Sequence, residues 1–184
     1  MSKEIERQLF HMIVGIVAIM LLLILGRGYM IAAVFIVLVI GTLLINARMR
    51  GKRISLVQWF ERRFERDDVV FPGWGSACYA AGALIALTFL TDLGQIAATI
   101  FILAIGDGFS SIIGRKGRFR LPWNSNKTLL GTAAFFVSSL PAFLFAGAAM
   151  IPIAAMAAVV ESLDLRIDDN LTIPIACVVY FLVV

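Results

Sequence analysis

Residues 9–25 read LFHMIVGIVAIMLLLIL and residues 29–47 read YMIAAVFIVLVIGTLLINA, with only the turn Gly26-Arg27-Gly28 between them. Neither stretch holds an aspartate, glutamate, lysine or arginine. A helix crossing the hydrocarbon of a bilayer needs roughly 17–25 such residues, because lipid offers no partner to a backbone amide and only a helix satisfies all of them internally. The pair predicts two spanning helices joined by a tight turn. No small-residue cleavage motif follows the first run, so it is expected to span rather than to be removed as a signal peptide.

The rest of the chain follows the same pattern. Of its 184 residues 61% are hydrophobic and only 15% charged, and the mean hydropathy is +0.96. Soluble domains hold roughly 45–50% apolar and about 25% charged residues, so this chain has too few polar groups to cover a surface in water. Further spans are expected over Gly75–Leu90 and Leu93–Ile113, with Thr91-Asp92 at the turn. From Thr128 to Val160 no residue is charged. That stretch is too long for one crossing, and predicts two short helices turning near Gly147, with Pro141 and Pro152 as kinks. A last, short span runs from Leu171 to Val184. The expected fold is all-α: one polytopic transmembrane bundle over 1–184, with about seven spans and polar segments near 48–70, 114–127 and 161–170. Cys78 and Cys177 lie in apolar runs and read as small buried hydrophobes, not as a disulfide framework or thiol metal site.

Seven spans place fifteen of the sixteen lysines and arginines on one side, and only Arg27 on the other. Cations accumulate in cytoplasmic loops, so the N-terminus and all three polar segments are expected in the cytoplasm. The same rule accounts for the basic pI near 9.4 with no nucleic-acid partner. In the first polar segment Leu56, Val57, Phe60 and Phe64 recur at helical spacing beside Trp59, while Glu61, Arg62, Arg63, Glu65 and Arg66 take the other face. That spacing predicts an amphipathic helix lying in the headgroup layer.

Three polar clusters share the expected cytoplasmic side. The first is Gly106-Asp107-Gly108-Phe109-Ser110-Ser111, inside an apolar span. An ionisable residue at that depth is costly and points to function or to a partner. Helical spacing puts Asp107, Ser110, Ser111 and Gly114 on one face, and the flanking glycines would let a ligand approach the backbone. The second is the loop Gly114–Lys127, with five cations: Arg115, Lys116, Arg118, Arg120 and Lys127. Its hydroxyls, amides and the helix N-terminus expected near Thr128 suit a polyphosphate, although a lipid-headgroup patch has a similar composition. No Walker A string is present. The third is Glu161-Ser162-Leu163-Asp164 with Arg166 and Asp168-Asp169-Asn170. On a continuing helix Glu161, Asp164 and Asp168 would share a face, and such carboxylates suit Mg²⁺ bound together with substrate phosphates. Asn170-Leu171-Thr172 matches a glycosylation sequon by accident at this position, and His11, the one histidine, cannot build a metal site alone.

Taken in order, Gly106-Asp107, Ile113-Gly114-Arg115, Asn126-Lys127-Thr128-Leu129-Leu130-Gly131-Thr132, Glu161-Ser162 and Asp168-Asp169-Asn170-Leu171-Thr172-Ile173-Pro174 resemble the dolichol kinase and phytol kinase family, which includes CTP-dependent diacylglycerol kinase. Arg7 with His11, and Glu65 with Pro72-Gly73, are fainter matches. Leu130 stands where the family often has an acidic residue, and Arg7-Gln8 where it has a basic pair. The related phosphatidate cytidylyltransferases share the Gly-Asp and Lys-Thr patterns, but their His-Gly-Gly signature is missing here. The resemblance implies CTP-dependent phosphorylation of a lipid alcohol, a polyprenol or dolichol, with Mg²⁺. Asp107 would hold the metal with Glu161 and Asp168, and Asp168 or Asp169 would be second ligand or base. Lys127 and Arg115 would neutralise phosphates. Gly106, Gly108, Ser110, Ser111, Gly114, Lys116, Asn126, Thr128, Gly131 and Asn170 would complete the nucleotide site. A cytidylyltransferase making a CDP-lipid is one alternative. A transporter or scaffold is the other, and the one-sided charge argues against transport.

Overall fold

The computed structural model describes residues 3–64 and 72–184. Glu65 and Arg66, expected on the amphipathic helix, lie outside the described residues.

The two opening runs form α1 (Lys3–Leu25) and α2 (Arg27–Met49). Gly26 between them takes φ 81°, a conformation that costs a residue with a Cβ but not glycine. A short helix, α3 (Ser55–Phe64), precedes α4 (Trp74–Phe89). The next run starts at α5 (Leu93–Phe101), where Asp92 caps the helix by accepting from the Gln95 amide at 2.8 Å. It passes through a π-helical turn over Ile102–Gly106 and ends as α6 (Asp107–Gly114). A two-stranded hairpin, β1 (Arg120–Leu121) and β2 (Asn124–Thr128), follows in the second polar segment, where sequence suggested only a loop.

α7 (Leu129–Ser139) is capped by Thr128, whose hydroxyl accepts from the Gly131 amide at 3.1 Å. The chain then breaks at Leu140–Ala142, forms the short α8 (Phe143–Ala146), and turns at Gly147, φ 61°. α9 (Met150–Ser162) returns alongside α7. The uncharged stretch 128–160 is therefore a helical hairpin turning at Gly147, as expected. α10 (Asp169–Val183) closes the bundle.

Four helical runs, Lys3–Leu25, Arg27–Met49, Leu93–Gly114 and Leu129–Ser162, are long and apolar enough to cross a membrane, and Trp74–Phe89 and Asp169–Val183 are shorter apolar helices. With the fourth run folded back on itself, the described residues hold seven apolar segments. The run Leu93–Gly114 is the centre, with 61% of its apolar window buried, whereas α2 is peripheral at 6%. The fold is an all-α membrane bundle in which α2 turns its apolar side chains outward.

In lipid, helices gain little by hiding apolar surface from each other, so close approach through small residues holds them together. A Cβ on Gly82 of α4 would lie 2.1 Å from the Asn170 carbonyl of α10. Gly114 and Gly131 meet similarly where α6 crosses α7. At the rim opposite the polar segments, Arg27 donates through Nε to the Leu87 carbonyl at 2.7 Å and through Nη2 to that of Thr88 at 2.9 Å, satisfying the end of α4.

One expectation of the fold is corrected. The helix through 161 does not continue, because Leu163 turns to extended backbone after Ser162; Glu161, Asp164 and Asp168 therefore share no face, and Asp164 is exposed. α3 packs on α1 as well as presenting Trp59 outward: Phe10 stacks on Phe64 at 4.4 Å and meets Phe60 edge-on at 5.5 Å, and Arg63 pairs with Glu6 at 3.0 Å.

Candidate active site

Four elements bring their charged side chains to one point. Asp107 opens α6 directly after the π turn, and Ser110 follows on the same face. Lys127 comes from β2, Glu161 from the last turn of α9, and Asp169 from the first turn of α10. The Lys127 ammonium donates to Glu161 Oε1 at 2.5 Å and to Asp169 Oδ2 at 2.7 Å. The Ser110 hydroxyl donates to the same Glu161 oxygen at 2.7 Å. One carboxylate oxygen each from Asp107, Glu161 and Asp169 lie within 4.8 Å of one another.

Burial by itself would lower the Lys127 pKa, but Glu161, Asp169 and Asp107 outweigh it and raise the amine above the usual lysine range. The ammonium is thus retained. Three carboxylates against one ammonium leave the cluster with surplus negative charge. Glu161, 1% exposed, keeps Oε2 buried without a hydrogen-bond partner. Oxygen donors, surplus negative charge and an orphaned buried oxygen fit a hard divalent cation such as Mg²⁺.

The hairpin is tied down so that Lys127 reaches this point. Asn124 Nδ2 donates to the Ser162 and Leu163 carbonyls at 3.3 and 3.1 Å, and Trp123 Nε1 donates to the Ser162 carbonyl at 3.2 Å. These bonds satisfy carbonyls at the end of α9. At the other end of β2 the Thr128 hydroxyl donates to the Gly114 carbonyl at 2.9 Å. Asn124 and Trp123 were not singled out from sequence. No alternation marks them in the sequence, since burial along β2 falls on Asn124, is lost at both Ser125 and Asn126, and returns fully only at Thr128.

Of the residues expected to meet, Asp107, Ser110, Lys127, Glu161 and Asp169 do. Asp168 instead caps α10: its Oδ1 accepts from the Asn170 amide at 3.0 Å and from Asn170 Nδ2 at 2.8 Å. The carboxylate triad therefore takes Asp169 in place of Asp168. The glycines serve helix contact, not ligand approach. A Cβ on Gly106 would meet Ser139 Oγ at 2.5 Å, one on Gly108 would meet Met12, and Gly114 and Gly131 fill each other's space. Thr128 takes up one α7 amide that was expected to be open to an anion. Arg115 and Lys116 are exposed just beyond α6, Asn126 is exposed on the hairpin, and Ser111 is half-buried.

A cleft of about 310 Å³ opens beside the cluster, between α1, α3 and α4. Asp107, Asp168, Asn170 and His11 line part of it, and Phe10, Val37, Phe60, Phe64 and Trp74 line another part. Asp107 belongs to both the cleft and the carboxylate triad.

Fold and site together define a helical membrane protein with a carboxylate–lysine centre at one end and a cleft of mixed polarity leading to it. Over 177 residues the chain is 32% identical to the uncharacterized protein MJ1137 of Methanocaldococcus jannaschii, covering 94% of this chain and 89% of that protein. The chain belongs to the same family as that archaeal protein. It is also similar to "Probable phytol kinase, chloroplastic" of Triticum aestivum, 30% identical over 113 residues, covering 50% of this chain and 38% of that protein. A third relative, "Probable phytol kinase 1, chloroplastic" of Oryza sativa subsp. japonica, is 31% identical over 98 residues, covering 42% and 31%. The matches span roughly a third of these plant proteins. No protein-family model matches the chain, and neither does any solved structure.

Proposed function

We propose that this protein is a lipid-alcohol kinase, which transfers the γ-phosphoryl group of a nucleoside triphosphate, CTP in our reading, to the hydroxyl of a membrane isoprenoid alcohol. The observation that carries the proposal is the Lys127 ammonium held between Glu161 and Asp169, with Asp107 completing the triad and opening onto the cleft. The partial similarity to proteins named phytol kinases supports the reaction class. A polyprenol or dolichol is the proposed substrate, and phytol is a shorter alcohol of the same isoprenoid type.

Phosphoryl transfer asks little covalent chemistry of the protein, which positions the reactants and neutralises charge. Asp107, Glu161 and Asp169 would hold Mg²⁺, which when bound supplies positive charge to the triphosphate. Lys127 would meet the oxygens of the group in flight, with Arg115 and Lys116 on the exposed lip receiving the rest of the triphosphate. Ser110 fixes Glu161 through its hydrogen bond, and Asn170 lies at the cleft, where it would orient a substrate. The distribution of lysine and arginine supports a cytoplasmic position for this end, where the nucleotide is dissolved.

The test is incubation of the purified protein with a polyprenol, Mg²⁺ and CTP labelled at either the α- or the γ-phosphate. Label from γ in the lipid is expected. Label from α would make it a cytidylyltransferase, and no label from either would return it to a non-enzymatic role.

A further inference from the structure

The carboxylate–lysine centre leaves one step without an actor. An alcohol that attacks phosphorus must lose its proton, and both aspartates near α10 are engaged: Asp169 by Lys127, and Asp168 through Oδ1 in its cap. His11 is not so engaged. It lines the cleft with Asp107 and Asp168, and its ring lies 3.8 Å from that of Tyr79, centroid to centroid. Nε2 is buried and has no hydrogen-bond partner. In the neutral imidazole tautomer protonated at Nδ1, Nε2 is an acceptor. Arg7 on its own helix and Tyr79 from α4 neighbour the ring, and Asp107 and Asp168 line the same cleft.

The rest of the cleft fits the remainder of an alcohol. Phe10, Phe60 and Phe64 form a cluster where α3 crosses α1, and with Val37 they give an apolar wall. At about 310 Å³ the space is at the small end of ligand sites, roughly 300–1,000 Å³. It takes the head and first carbons of a long alcohol and leaves the tail in the bilayer.

We propose that this cleft seats a long-chain primary alcohol, its chain against Phe10, Phe60 and Phe64 and its hydroxyl at His11 Nε2, which accepts the hydroxyl proton during transfer. The proposal rests on the kinase reading. The alcohol oxygen forms a bond to the γ-phosphorus, the bond from that phosphorus to the bridging oxygen breaks, and the nucleoside diphosphate leaves with the electron pair. The proton moves to Nε2 and passes to water once the products depart.

Two measurements on the intact protein in detergent test it. The first needs no turnover: a C20 primary alcohol bearing a diazirine near its hydroxyl end is photolysed with the protein and the adducts are mapped by mass spectrometry. Adducts at Phe10, Phe60 or Phe64 that excess unlabelled alcohol suppresses are expected. Adducts only on outward residues such as Phe35, or no suppression, would overturn the seat. The second compares wild type with His11→Ala and His11→Gln in the γ-labelled assay. General-base catalysis contributes typically ~10²–10⁴-fold, so kcat should fall by about 100-fold or more in both variants. The KM for CTP should hold, photolabelling should persist, and added imidazole should restore part of the His11→Ala rate. A wild-type kcat in either variant, or a loss that imidazole leaves untouched while photolabelling persists, overturns the proton-acceptor role. A wild-type protein that is photolabelled at the cleft but transfers no γ-label upholds the seat and overturns the kinase reading.

Discussion

The ammonium of Lys127 lies 2.5 Å from Oε1 of Glu161, a side chain with 1% of its surface exposed. Such a pair is a poor source of net stability but an expensive one to break, since removing one partner leaves a buried charge alone. Lys127→Met should destabilise the protein by about 3–5 kcal/mol. Lys127→Met combined with Glu161→Gln should recover most of that loss and still transfer no phosphate. Thermal unfolding in detergent with the γ-label assay reads both effects, and a double variant as unstable as the single one would contradict the pairing.

Asp168 and Asp169 are neighbours with different tasks. Asp168→Ala removes a helix cap and should cost about 1 kcal/mol, whereas Asp168→Asn keeps an acceptor at the cap and should unfold near the wild-type temperature. Asp169→Asn should lower kcat by roughly 100-fold or more, as loss of a charged group at the reacting centre does. Equal loss of activity in Asp168→Asn and Asp169→Asn would refute the distinction.

Glycine-to-alanine substitutions should divide by packing. At Gly82 the new methyl would sit 2.1 Å from the Asn170 carbonyl, and the helices must part at a cost of about 1–3 kcal/mol or more. At Gly41 no atom lies within 4 Å, so alanine should gain up to about 1 kcal/mol from helix propensity. The order of unfolding midpoints, Gly82→Ala below wild type and Gly41→Ala at or above it, is the check.

Sidedness is measurable because both native cysteines are buried and can be replaced by alanine. Three crossings separate exposed Gly28 from exposed Ser125 on the hairpin. In right-side-out vesicles an impermeant maleimide should react at once with Gly28→Cys, and with Ser125→Cys only after permeabilisation. Reaction of both on the same side would break the seven-span arrangement.

The bundle was legible because lipid imposes a rule that can be read residue by residue: every uncharged run of sufficient length is a helix, and even the reversal at Gly147 follows from the length of the run between Thr128 and Val160. The site was less legible, for reasons of phase. Extrapolating helical spacing past Ser162 put Asp168 beside Glu161, but the extended backbone at Leu163 resets the phase and brings Asp169 round instead. The π turn before Asp107 leaves no mark in the sequence, although it sets where that carboxylate points. The glycines around Asp107 were read as space for a ligand because a sequence does not say which neighbour fills the room a missing Cβ leaves; here Met12, Phe135 and Ser139 do.

Arg27 lies far from all of this chemistry, yet it bears on the shape of the cleft. Its two hydrogen bonds to the Leu87 and Thr88 carbonyls clip α2 to α4 at the rim opposite the carboxylates. Val37 of α2 and Trp74 of α4 both border the cleft. The pair also meets at the cleft end, where a Cβ on Gly73, just before α4, would lie 2.7 Å from Ile45 Cδ1 of α2. Held near both rims, the two helices give the cleft a wall of fixed spacing, as a frame pinned at two corners keeps its shape.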